Sequence, residues 1–80
     1  MTALYVLDVP ENTSVAKVAA EAGAVVGKVG PYFEITSDGS IVVDRRATGC
    51  RHAVWYSCIA GVAGGRIVQH DKNALQVDPT

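Results

Sequence analysis

Residues 44–62, DRRATGCRHAVWYSCIAGV, decide the fold, because they read equally well in two ways. As a helix, Thr48 caps the segment, Ala53, Ala60 and Ala63 favour it, and Gly61, Gly64 and Gly65 end it. As a strand, the Val54-Trp55-Tyr56 content favours it, and Ala63-Gly64-Gly65 turns the chain into Arg66. Layer balance separates the two. Six strands with a single helix leave one sheet face poorly covered, whereas five strands with two helices bury both elements' apolar sides. The expected architecture is a small two-layer α+β domain in the order β-α-β-β-α-β-β, with a mostly antiparallel sheet. The alternative makes residues 52–62 a strand, giving a six-stranded sheet or partial barrel with one helix.

The flanking segments are plainer. Leu4-Tyr5-Val6-Leu7 is an apolar run of strand formers closed by Asp8 and Pro10. Asn12, Thr13 or Ser14 is placed to cap a helix whose stripe is Val15, Val18, Ala19 and Ala22, with Gly23 at its C-terminal end. The ten residues Ser14–Gly23 resemble the first helix and turn of bacterial helix-turn-helix regulators. The resemblance stops there, since Val25-Val26-Gly27 and Gly30-Pro31 cannot continue a recognition helix. Val25 to Ile35 reads as extended, with an edge, bulge or bend at Gly30-Pro31. Asp38-Gly39 is a hairpin signal that would set Ile35 opposite Val42 and Glu34 opposite Val43. Phe33, Ile35 and Val42 would then face the core, and Glu34 and Thr36 the other side. A second hairpin around Lys72-Asn73 would pair Val68 with Val77, His70 with Leu75 and Gln69 with Gln76.

The 80 residues bound the answer to a single domain spanning 1–80. With 49% hydrophobic and 19% charged residues, so small a chain has more apolar surface than it can bury alone. A homo-oligomer, most simply a two-fold homodimer, is therefore expected. The net charge of −1 supplies no global field towards nucleic acid or a membrane. Its distribution is uneven: residues 1–40 carry five carboxylates against Lys17 and Lys28, while residues 41–80 carry four arginines and Lys72 against three aspartates. Thr2–Val9 lacks the basic start and long apolar run of a secretory signal, and no segment approaches the ~20 apolar residues of a membrane span. Two cysteines in that context imply reduced thiols and a cytoplasmic location.

Arg45, Arg46 and Arg51, with His52 beside them, form the one cationic cluster. At a helix start near Thr48 they would meet an anion together with the free backbone N–H groups. On the surface they would instead pair with Asp44 or the N-terminal carboxylates. Arg51 and Trp55, and His52 and Tyr56, are four apart, which puts each pair on one side of a helix or strand alike. The spacing of Cys50, His52, Cys58, His70 and Asp71 matches no zinc pattern. Cys50 and Cys58, eight apart, would be separated by roughly 12 Å along one helix. Neither histidine has a sequence-level catalytic partner, and Gly23–Val29 is one residue short of a phosphate-binding loop and lacks its Ser/Thr.

The residues favour a non-enzymatic binding or assembly module without metal or cofactor. It would recognise an acidic protein partner, a small anion or a second copy of itself through Arg45, Arg46, Arg51, His52, Trp55 and Tyr56. The first alternative is a small enzyme or enzyme subunit with a reactive Cys50 or His52. The second is a weak nucleic-acid binder, which overall acidity disfavours.

Overall fold

In the computed structural model, which describes residues 1–80, Thr2–Leu7 forms strand β1 inside a four-stranded sheet. Leu4 and Val6 point inward with no exposure, as the apolar run requires. A 3-10 turn at Pro10–Asn12 leads into helix α1, Thr13–Glu21, which buries Val15, Ala16 and Ala19. Asn12 holds the cap position, but its Nδ2 donates to the Leu7 carbonyl at 3.0 Å instead of capping the helix.

Strands β2 (Val25–Val29) and β3 (Tyr32–Ser37) follow, and β3 pairs with β1. Gly30-Pro31 is the hairpin turn between them, with Val29 opposite Tyr32. Gly30 has φ +56°, as the first central residue of a type II′ turn needs, and the proline ring sets the second. The expected hairpin at Asp38-Gly39 does not form. Strand β4, Ile41–Asp44, leaves β3 and joins β7 in a second sheet. Ser37 Oγ accepts the Gly39 N–H at 3.2 Å, and Ser40 Oγ donates to Asp78 at 2.7 Å, which carries the chain across. Ile41 and Val43 consequently fill the core, and Val42, expected there, is exposed.

Both readings of residues 44–62 hold in part. Arg45–Thr48 is helix α2, His52–Ser57 is helix α3, and Ile59–Ala63 is strand β5, antiparallel to β1. Side chains end α3. A helix leaves its last carbonyls without partners; here Ser57 Oγ donates to the Ala53 carbonyl at 2.6 Å, and the Cys58 thiol donates to the Trp55 carbonyl at 3.1 Å. The backbone is then free to turn into β5, where Ile59 opposes Val6 and Val62 opposes Leu4.

At Gly64 the chain passes from β5 into β6, Gly65–His70, which pairs with β7, Ala74–Pro79. The sheets are ordered β2-β3-β1-β5 and β4-β7-β6, and every pairing is antiparallel. In the second hairpin His70 opposes Leu75 and Gln69 opposes Gln76, as expected, but Ile67 rather than Val68 opposes Val77. A bulge between Ile67 and Gln69 takes up Val68. The turn works without glycine because the Asp71 carboxylate accepts the N–H groups of Asn73 and Ala74 at 2.8 and 3.1 Å. Those bonds hold the Asp71 carboxyl below its ordinary range. The result is an open α+β domain with three helices and seven strands, two strands and one helix more than the expected order.

One core joins the parts, with Leu4, Val6 and Ile35 from the first sheet, Ile41, Val43, Leu75 and Val77 from the second, Val15, Ala16 and Ala19 from α1, and Trp55. Ala22, expected in the apolar stripe of α1, caps the helix and is exposed. Gly64 is the tightest point of the crossover. It has φ +66°, and a Cβ there would lie 2.2 Å from the Met1 carbonyl oxygen. Gly64→Ala is expected to lower stability by about 2–4 kcal/mol, combining a left-handed backbone penalty with a backbone clash. A urea melt of the variant with an unshifted midpoint would contradict this close approach.

Candidate functional site

The six residues expected to form a binding surface separate into two groups. Arg45 and Trp55 turn inward. Arg45 Nε donates to the Lys72 carbonyl and Nη1 to the Cys50 carbonyl at 3.3 Å, while its backbone N–H donates to the Asn73 carbonyl at 3.0 Å. Its guanidinium therefore ties α2 to the β6–β7 turn. Trp55 is fully buried, its Nε1–H donating to the Asp71 carbonyl at 2.6 Å.

Arg46, Arg51, His52 and Tyr56 remain exposed. Neither arginine has a carboxylate within ion-pairing distance, since the one ion pair in the molecule joins Lys28 to Asp8. Asp44, expected as a surface partner, pairs with neither. Helix α2 has four residues and α3 six, with cap residues Asp44 and Arg51 making no side-chain cap bonds. Neither is long enough to provide the N-terminal anion site expected at Thr48. Thr48 closes α2 instead, its Oγ1 donating to the Arg45 carbonyl at 2.6 Å and accepting the Cys50 N–H at 3.1 Å.

The i,i+4 spacing brings His52 and Tyr56 together, with ring centroids 6.2 Å apart. Trp55, four residues from Arg51, instead packs edge-on against His70 at 5.6 Å. His70 also lies 5.2 Å from Tyr56, so it joins the buried indole to the exposed aromatic pair. Its Nε2 is 3.2 Å from the Trp55 carbonyl; a carbonyl only accepts, so this nitrogen carries the proton. No local pattern in the sequence marks His70 as part of this group, because its partners Trp55 and Tyr56 lie 15 and 14 residues away in the chain.

The expected cationic residues do not line one concavity. A shallow pocket of about 210 Å³ is bounded by Glu11, Gly49, Cys50, Arg51 and Val54, without Arg45, Arg46 or His52. Cys50 sits at its edge, nearly buried, with Sγ 3.7 Å from Ser14 Oγ and 3.8 Å from the Glu11 carbonyl. Both cysteines are free thiols. No group of three or more His, Cys, Asp or Glu side chains is gathered closely enough to hold a metal ion. No helix is long and apolar enough to cross a membrane.

This arrangement of strands and helices has a counterpart. One chain in the structure of a phenol hydroxylase–regulatory protein complex superposes with a TM-score of 0.79, over 99% of this chain and 98% of that one. The two are 13% identical. The likeness is one of fold. No protein-family model matches the sequence, and no curated protein matches it.

Burial, and secondarily the nearby Cys50, pushes the Cys58 thiol up to about 11 from an ordinary 9.0. The sign follows from linkage: the unfolded thiol ionises first, so this contribution is intact below pH 9 and is lost as pH rises to about 11. Urea midpoints measured from pH 8 to 11 should fall, and the fall should be shallower in Cys58→Ala. Equal slopes in the two proteins would count against a buried, protonated Cys58.

Proposed function

We propose that this chain is a non-enzymatic docking module that binds an acidic surface of a larger protein partner. Arg46 and Arg51 meet the partner's carboxylates, and His52 with Tyr56 supplies the adjoining aromatic contact. The observation that carries this reading is that both guanidiniums are exposed with no carboxylate in ion-pairing distance, and that the aromatic pair begins at His52, next to Arg51 in the chain. Exposed arginine and tyrosine are residue types enriched in binding hot spots, and a guanidinium forks onto a carboxylate more readily than lysine does. The fold likeness supports the same class of role, since the matched chain belongs to an assembly of a hydroxylase and a regulatory protein.

Arg45 has a different part in this reading: it sets the α2–α3 segment against the β6–β7 turn and so fixes where its neighbours project. The two roles separate by mutation. Poly-L-glutamate serves as a probe for an acidic surface, and inorganic phosphate as a control for a small anion. Arg46→Ala combined with Arg51→Ala should weaken poly-L-glutamate binding about ten-fold at low salt, at ~0.5–1 kcal/mol per exposed pair, with an unchanged urea midpoint. Arg45→Ala should instead cost about 1–3 kcal/mol of stability, because two carbonyls lose their donor. Unaltered polyglutamate affinity in the double variant would remove the cationic surface from consideration. Phosphate binding that saturates while polyglutamate does not bind would make the site one for small anions.

A further inference from the structure

The first sheet has a second face, which none of the helices covers. α1 and α3 send their core residues to the opposite side, with Leu4, Val6 and Ile35. The strand registers lay out the open face as three rows. One is Leu7, Tyr32 and Val29; the middle one is Gly61, Tyr5, Glu34 and Gly27; the third is Ala63, Ala3, Thr36 and Val25. Leu7, Tyr32, Val29 and Val25 are 41%, 36%, 49% and 68% exposed. Four large apolar side chains gathered on one sheet face are unlike the scattered apolar surface of an ordinary monomer.

One ionisable carboxyl lies in the middle of this face. Glu34 accepts the Tyr5 hydroxyl at 2.9 Å, on Oε2, and has no cation beside it. That bond, more than burial, raises the tyrosine's proton affinity, so the phenol remains a donor. On either side of the pair the glycines leave room: a Cβ at Gly27 or Gly61 would meet nothing within 4 Å. An apolar partner covering the face would bury a half-satisfied carboxylate, which is costly. A second copy of the same face does no better. None of the eleven residues in the three rows is Lys or Arg, so a copy stacked row on row sets no lysine or arginine of that face against Glu34.

We propose that this face docks an amphipathic helix of a different protein, carrying a lysine or arginine flanked by aliphatic residues one turn away on each side. Charge complementarity selects the cation, which enters between Gly27 and Gly61 to reach Glu34. Spacing selects the helix. Adjacent rows are two residues apart along each strand, about 6.6–6.8 Å, and a helix advances about 6 Å from i to i+4. A helix lying along the strands therefore seats residues i−4 and i+4 over the outer rows while residue i meets the middle one. This surface goes beyond the one at Arg46 and Arg51, and it is carried by different elements.

The test uses the full chain and two synthetic 15-residue helical peptides with Leu four before and four after the centre, one with a central Lys and one with a central Glu. The Lys peptide is expected to shift the backbone amide resonances of Tyr5, Gly27, Glu34 and Gly61 and to bind about ten-fold more tightly than the Glu peptide. In Glu34→Gln, which keeps an acceptor for Tyr5, the preference should fall to within about two-fold. Val29→Lys should weaken both peptides while leaving the thermal midpoint in place. Arg46→Ala with Arg51→Ala should leave Lys-peptide binding unchanged, which separates the two surfaces. Equal affinities for the two peptides, or shifts confined to other residues, would overturn the proposal. So would a sedimenting dimer of the wild-type chain that Val29→Lys dissociates, because the face would then belong to a second copy.

Discussion

The indole of Trp55 is the largest side chain wholly withdrawn from solvent, and its N–H donates to the Asp71 carbonyl at 2.6 Å. Its carbonyl in turn takes the Cys58 thiol and His70 Nε2. One residue thus seals the core, stops its own helix and fastens that helix to the hairpin of the second sheet. Burying an indole is worth several kcal/mol, but only where its N–H finds an acceptor. The Asp71 turn supplies that acceptor, and the turn is itself held by the Asp71 carboxylate. Arg45 adds a second tie from α2 to the same turn. The exposed residues Arg46, His52 and Tyr56, and Arg51 at the cap of α3, are therefore borne by two short helices that have little length of their own to stabilise them. Their positions depend on these ties.

How much of this was legible in the sequence depended on how local the determining contact is. β1 and α1 follow from an apolar run and an apolar stripe, both internal to their segments. The His70–Leu75 and Gln69–Gln76 pairs follow from counting outwards from the Lys72-Asn73 turn. The Asp38-Gly39 signal misled because turn residues permit a reversal without choosing the strand's partner. β4 is chosen by β7, more than thirty residues further on, and Ser40–Asp78 helps to align it. The helix and strand signals of residues 44–62 were both genuine. What neither period revealed is the boundary at Cys58, which is set by side-chain bonds to the last turn and by pairing with β1.

The candidate site divides the same way. His52 and Tyr56 meet because helical spacing makes them meet. Arg45 looked like the rest of its cluster, yet its carbonyl partners at Lys72 and Cys50 make it a strut, and a charge alone does not disclose that. Glu34 and Thr36 were legible as facing away from the core. The apolar rows around Glu34 were not, because they require the order β2-β3-β1-β5 to bring four strands together. The chain's slight overall charge conceals two local surfaces of opposite sign: unpaired arginines on α2 and at the cap of α3, and a lone carboxylate on an apolar sheet face. Neither is ion-paired within this chain.

Hydrogen exchange at the Trp55 indole N–H tests the dependence of this arrangement on Trp55 most directly. If the indole closes the core and the Asp71 carbonyl holds it, its proton exchanges only through global unfolding, with a protection free energy equal to that of the slowest β1 amides and matching the urea-derived stability. Exchange of the indole proton through a lower-energy local opening, while β1 stays protected, would contradict the account. It would mean that α3 and its arginine surface are carried by something other than the Trp55 seat.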